Sequence, residues 1–139
     1  MKVLTISTII CLLASTSFAA EPVTAEVKET ISTKSGIKYT SLREGTGDSP
    51  GPTDTVIVNY RGTLLNGREF DNSYKSGRPV EFQLDRVIKC WTEGLQLMKV
   101  GGKAELDCPS NLGYGESGVP GSVPPYAALI FEVELLYIK

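Results

Sequence analysis

Hydrophobic and polar positions alternate with a period of two along most of the chain beyond residue 36, the spacing that sends every second side chain of a strand to one face. Ile37 to Leu42 reads as a first strand, followed by Gly45-Thr46-Gly47 and the turn-forming run Asp48-Ser49-Pro50-Gly51-Pro52. Thr55 to Leu64 is a second strand, rich in β-branched residues. Asn66-Gly67 marks a tight hairpin turn, because both residues tolerate positive φ. Glu69-Phe70-Asp71 begins the returning strand, Asn72 to Gly77 is a polar loop, and Val80, Phe82 and Leu84 share one face of a further strand. Lys103 to Cys108 is another. In the last strand Leu129, Phe131, Val133, Leu135 and Tyr137 point one way; Ile130 and Leu136 on the other face suit a central, partly covered position.

One stretch breaks this period. Val87, Ile88, Trp91, Leu95 and Met98 recur at helical spacing and share a face, with Lys89, Thr92, Glu93 and Gln96 toward the other. Asp85 is placed to cap this helix and Gly101-Gly102 to stop it. A helix so short is marginal alone, so its apolar face must be buried. The expected fold class is therefore α+β: one short helix lying across a strongly curved sheet, with Trp91, the only tryptophan, between them. The loop from Pro109 to Pro125 is dense in Gly and Pro, and a structureless segment of that length in a compact domain hints at function.

The start of the chain has a different pattern. Lys2 precedes an apolar run from Val3 to Ala14, and Ser17-Phe18-Ala19 puts small residues where a signal peptidase reads them. Residues 1–19 read as a signal peptide, cleaved after Ala19 or Ala20, which makes the protein periplasmic or secreted. The run is short for a bilayer-spanning anchor, so no membrane attachment is expected after cleavage. Cys11 follows Thr8-Ile9-Ile10, which does not suit a lipoprotein site. Residues 20–36 read as a flexible arm, with a turn of helix around Val27 to Ile31, and 37–139 as one domain. Cleavage leaves Cys90 and Cys108, and an even pair in an exported protein favours a disulfide over two free thiols.

Composition narrows the chemistry. The chain has 139 residues, enough for a single core, with 41% hydrophobic and 22% charged. A net charge of -2 and no basic patch argue against nucleic acid. There is no histidine, which removes Ser-His-Asp and Cys-His arrangements and the commonest metal ligand. Two cysteines do not make a zinc site, Gly113-Tyr114-Gly115 follows no strand-to-helix turn, and the carboxylates at 105, 107, 132 and 134 suit solvated strand faces. No metal or cofactor is expected. What remains is an aromatic and aliphatic set: Tyr60, Phe70, Phe82, Trp91, Tyr114, Tyr126 and Phe131, with Val87, Ile88 and Val123.

Such a set serves apolar recognition, or chemistry that needs no proton transfer. Rotation about a peptide bond is chemistry of that kind. Its barrier of about 18–20 kcal/mol comes from amide resonance, and only X-Pro bonds commonly populate both isomers. A dry apolar cleft disfavours the more polar planar amide relative to the twisted one. A 10⁵-fold acceleration requires roughly 7 kcal/mol of differential stabilisation.

Tyr60-Arg61-Gly62, Gly67-Arg68-Glu69-Phe70-Asp71, Val87-Ile88-Lys89-Cys90-Trp91-Thr92-Glu93-Gly94, Met98 to Gly102, Gly113-Tyr114-Gly115, Gly121 to Pro125 and Phe131 to Leu136 closely resemble, in matching order, the FKBP-type peptidyl-prolyl cis-trans isomerases. The likeness is strongest to exported bacterial members of the FkpA and macrophage infectivity potentiator type, but without their long N-terminal dimerisation helix, which implies a monomer. The resemblance implies an antiparallel half-barrel of five to six strands wrapped around one short helix. It implies isomerase activity without a cofactor, on proline-containing unfolded or partly folded polypeptides, with macrolides such as FK506 or rapamycin as inhibitors. By motif, Trp91, Tyr114, Asp71 and Phe131 take catalytic places, Trp91 as the floor, Tyr114 as a donor to the carbonyl before proline and Asp71 as a rim carboxylate. Tyr60, Phe70, Phe82, Val87, Ile88 and Val123 line the cleft, and the Ile88 N–H meets a carbonyl of the bound peptide. Val80 stands where the family often has an aromatic residue and Val119 where some members have histidine. A binding module or chaperone with negligible isomerase activity is the rival reading. A carbohydrate-binding domain would want exposed aromatics on a flat face, whereas here they alternate toward the core.

Overall fold

In the computed structural model of the protein, residues 28–139 are described, and the stretch expected to be a signal peptide, Cys11 and the first part of the expected arm lie outside them. The strands are β1 (Thr30–Ser32), β2 (Lys38–Arg43), β3 (Thr55–Leu64), β4 (Glu69–Asn72), β5 (Val80–Gln83), β6 (Lys103–Cys108) and β7 (Leu129–Ile138). All pair antiparallel in one open sheet of order β1-β2-β6-β7-β3-β4, with β5 also paired to β3. The sheet has seven strands because Thr30–Ser32, where a helical turn was expected, pairs with Lys38–Thr40 as an added edge. The central place expected for the last strand holds: β7 lies between β6 and β3.

Alternation in β3, β6 and β7 builds the core. Val56, Val58 and Tyr60 of β3, Ala104, Leu106 and Cys108 of β6, and Leu129, Phe131, Val133 and Leu135 of β7 all turn to the buried face. The alternation fails at Tyr137, which is 65% exposed. The register slips between Ile57–Tyr137 and Val58–Leu135, so Leu136 is an extra residue in a bulge that turns Tyr137 outward. Further register shifts lie between β3 and β4 and between β2 and β6. Such irregularities bend the strands and curl the sheet around the helix.

The first half of β3 pairs with β5 and its second half with β4, so a notch opens between them. The residues expected as a polar loop fill it as a 3-10 turn, Ser73–Ser76, started by the Asn72 side chain and closed by Gly77 at φ 70°. Buried Ser73 accepts the Tyr60 N–H at 2.8 Å, a group no strand pairs there. In the preceding hairpin only Gly67 takes positive φ, and Asn66 instead accepts the Arg68 N–H at 2.9 Å. The loop is a turn followed by a left-handed glycine, which suits three residues better than two.

The helical stretch is more broken than its periodicity suggests. Leu84–Arg86 is a separate 3-10 turn, Val87 is extended, α1 runs only over Lys89–Gly94, and a second 3-10 turn covers Leu95–Leu97. Asp85 therefore lies within the preceding turn; Ile88 takes the cap position without a side-chain bond, its carbonyl accepting from Trp91 at 3.0 Å. The interruption lets Leu84 reach the core while Val87 and Ile88 stay half-exposed. Ser35 Oγ donates to the Glu93 carboxylate at 2.6 Å, tying the segment before β2 to α1. Cys90 and Cys108 form a disulfide, Cα to Cα 5.7 Å, that fastens α1 to the end of β6.

Candidate functional site

Trp91 is 4% exposed on α1, enclosed by the sheet. Tyr60 from β3, Phe82 from β5 and Phe131 from β7 stand around it at ring-centroid distances of 5.0, 5.3 and 5.4 Å, with interplanar angles of 87°, 84° and 83°. Edge-to-face aromatic packing of this kind contributes beyond area burial and fixes ring positions. Its product is an aromatic box with the indole at the bottom. The indole N–H is buried without a hydrogen-bond partner.

Above the indole is a cavity of about 310 Å³, lined by Tyr60, Asp71, Phe82, Arg86, Val87, Ile88, Trp91, Tyr114 and Phe131. That is the small end of ligand-site volumes, suited to one ring or short side chain. Seven of these were assigned to the cleft from the sequence on the walls and floor, and Asp71 on the rim; Arg86 was not. Phe70 and Val123 are not among the lining. Phe70 packs behind Phe131 at 5.5 Å, in a space that Gly62 leaves open: a Cβ there would lie 2.6 Å from Phe70 Cζ. Val123 is buried and bridges to Val119 across the Gly-Pro loop. Val80 pairs with Val58 beside the core.

That loop has structure of its own. Ser110–Leu112 is a 3-10 turn, and the Gly113 and Gly115 N–H groups both donate to the Ser110 carbonyl, at 3.1 and 2.9 Å. Tyr114 is held between them, 38% exposed, at the cavity wall. Backbone hydrogen bonds, which no side-chain pattern signals, order a segment that looked structureless.

Electrostatics at the site keep its donors protonated. Burial, then the hydroxyl's bond to Asp71, raise the Tyr60 phenol well above its ordinary value. Burial, then the nearby Asp71 charge, raise Tyr114. Asp71 accepts from the Tyr60 hydroxyl and from the Asn72 N–H. Among the described residues the Ile88 N–H has no protein acceptor. The cavity thus offers an apolar box, a phenol donor and a free backbone N–H at its edge, an arrangement fit to hold a carbonyl and a small ring away from water.

Comparison with known proteins points the same way. The sequence model described as FKBP-type peptidyl-prolyl cis-trans isomerase matches residues 47–136. The FKBP-type peptidyl-prolyl cis-trans isomerase FkpA of Escherichia coli (strain K12) is 50% identical over 115 residues, covering 83% of this chain and 42% of that protein. A probable FKBP-type peptidyl-prolyl cis-trans isomerase of Haemophilus influenzae is 53% identical over 115 residues, covering 83% and 48%. The crystal structure of FkpA from Escherichia coli superposes with a TM-score of 0.78 at 49% identity, covering 83% of this chain and 54% of that one. The chain spans less than half the length of the two curated relatives.

Proposed function

The chain belongs to the FKBP-type peptidyl-prolyl cis-trans isomerase family, and on that premise we propose that it rotates X-Pro bonds of exported polypeptides in the Trp91 cleft, without a cofactor. The observation that carries this reading is the box itself: three perpendicular aromatic walls over a buried indole, with Tyr114 and the Ile88 N–H at its mouth.

The proline ring sits on Trp91 between Tyr60, Phe82 and Phe131. The Ile88 N–H and the Tyr114 hydroxyl hold carbonyls of the flanking chain, and Asp71, anchored by Tyr60, marks the rim. A planar amide carries more charge separation than a twisted one, so an apolar box raises the former relative to the latter. No proton moves, which suits a site without histidine. Residues 37–139 form the isomerase domain, the first 19 residues direct export to the periplasm or medium, and the mature protein acts as a monomer. Macrolides such as FK506 and rapamycin occupy the same box, with affinity reduced where Val80 replaces a larger residue.

A protease-coupled assay on short X-Pro peptides with an apolar residue before proline tests the reading. Acceleration that is suppressed by rapamycin is expected. Rates equal to the uncatalysed control on several such peptides would sink it and favour a binding module.

A further inference from the structure

The cavity carries one feature that amide rotation does not use. Arg86 is the only cation among its lining residues, and Asp71 the only anion. Asp71 is engaged by the Tyr60 hydroxyl and the Asn72 N–H. Arg86 is exposed and, among the described residues, enters no ion pair or side-chain hydrogen bond. Three other arginines are committed, Arg43 to Glu134, Arg61 to Glu69 and Arg68 to the Gly121 carbonyl, and Arg78 is not among the cavity's lining. Arg86 closes the 3-10 turn before the helix, and the next residue, Val87, is extended at φ -116° and ψ 175°. Arg86 and Ile88 stand two residues apart, on either side of the extended Val87, and both line the cavity. A peptide carbonyl held by the Ile88 N–H therefore brings its neighbouring residues within reach of a long, planar, permanently charged side chain.

We propose that Arg86 is a specificity-determining residue, selecting X-Pro segments that carry a glutamate or aspartate within two residues of the proline. This rests on the isomerase reading of the same cleft and names its preferred substrate class. The guanidinium matches a carboxylate in both charge and fork geometry. Because the pair forms at a solvent-exposed rim, the preference is modest and salt-sensitive.

The test is a set of short Leu-Pro peptides with Glu, Gln or Lys at the second position before the proline or at the first or second after it, assayed with the wild-type chain, Arg86→Glu and Arg86→Met. At one or more positions the wild-type ratio of kcat/KM for Glu over Lys should be about two- to five-fold at low salt. It should collapse toward one near 1 M salt, where the Debye length is about 3 Å, invert in Arg86→Glu and approach one in Arg86→Met. Wild-type ratios of one at every position, or an unchanged ratio in both variants, would overturn the proposal. If Arg86→Glu does not fold, Arg86→Met and the wild-type salt series still decide. If even the Gln peptides are not accelerated, the isomerase reading has failed instead. The quench of Trp91 fluorescence by the Glu and Lys peptides then judges Arg86 by affinity alone, equal affinities rejecting it.

Discussion

Trp91 and Tyr114 face the same cavity and are held there by unlike means. Trp91 is on a helix locked into the core, with Cys90 and Leu95 fully buried beside it and rings on three sides. Tyr114 is in a loop rooted at Cys108 and ordered by backbone hydrogen bonds around Ser110 and Gly115, the residue more than a third exposed. The floor cannot be altered without altering the fold. The loop can lose a functional group and keep its shape. The Cys90–Cys108 bond is a covalent cross-link between the two regions, since one end adjoins Trp91 and the other precedes the loop. Substitutions should therefore separate stability from catalysis according to region.

The largest effect is expected at the floor. Trp91→Ala removes the largest core side chain and should cost about 3–5 kcal/mol, a large share of the stability of a small domain. Trp91→Leu keeps an apolar floor and should leave partial activity with a measurable loss. Denaturant midpoints and isomerase rates on the same samples read both. A Trp91→Ala protein as stable as wild type would place the helix outside the core.

Next is the bond between the regions. Cys90→Ala with Cys108→Ala opens a loop closed over a separation of 18 residues and should cost about 3 kcal/mol in the chain-entropy view. In the unreduced, denatured protein neither thiol should react with an alkylating agent; labelling of both would show that the bond does not form.

How far this division could be read from sequence depends on what fixes each region. The floor is fixed by side-chain burial, which leaves a period: Val56, Val58 and Tyr60 in β3, or Leu106 and Cys108 in β6, announce the buried face by alternation alone. The bulge at Leu136 carries no such mark, because one inserted residue looks like continued strand until its partner is known. The helix misled for a related reason. Leu84, Trp91 and Leu95 are all fully or nearly buried, but along two 3-10 turns, an extended Val87 and six residues of α-helix, a path that helical spacing merely approximates. Arg86 was missed because a charged residue beside an apolar run looks solvated; its signal was its place two residues before Ile88, at the turn that leads into the helix. Phe70 was drawn to the cleft by motif, but from the second rank it shapes Phe131.

In the loop, Tyr114→Phe removes one donor and little packing, so its stability cost should be about 1 kcal/mol or less. Its effect should be in kcat/KM for peptides and in macrolide affinity. Its proton also sets a pH expectation. Burial, then Asp71, raise the folded Tyr114 value above 10.0, so below that pH the phenol is protonated both folded and unfolded. With no histidine to titrate, kcat/KM on an uncharged peptide should be flat from about pH 6 to 9. Above pH 10 the unfolded phenols of Tyr60 and Tyr114 ionise first, so the stability they favour is lost as pH rises through their folded values. A bell-shaped profile centred near neutrality would mean that a titrating group acts in the step.

The smallest effect has the opposite sign and probes how much strain the loop holds. Tyr126 is the only non-glycine residue with positive φ among the described residues, at 57°. It follows Pro124-Pro125, its N–H donates to the Gly115 carbonyl at 2.9 Å, and the residue is 69% exposed. A residue with a Cβ in the left-handed region carries roughly 1–2 kcal/mol of unfavourable energy, less for asparagine, whose short polar side chain tolerates that conformation. The exposed ring gives little packing in return. Tyr126→Asn should therefore raise the denaturant midpoint, by about 0.5–1 kcal/mol in stability. The floor offers no such gain, because every side chain around Trp91 is already committed to packing. If Tyr126→Asn destabilised the protein instead, the ring would have to pack on the folded loop in solution, and the loop would resemble the floor in depending on buried side chains.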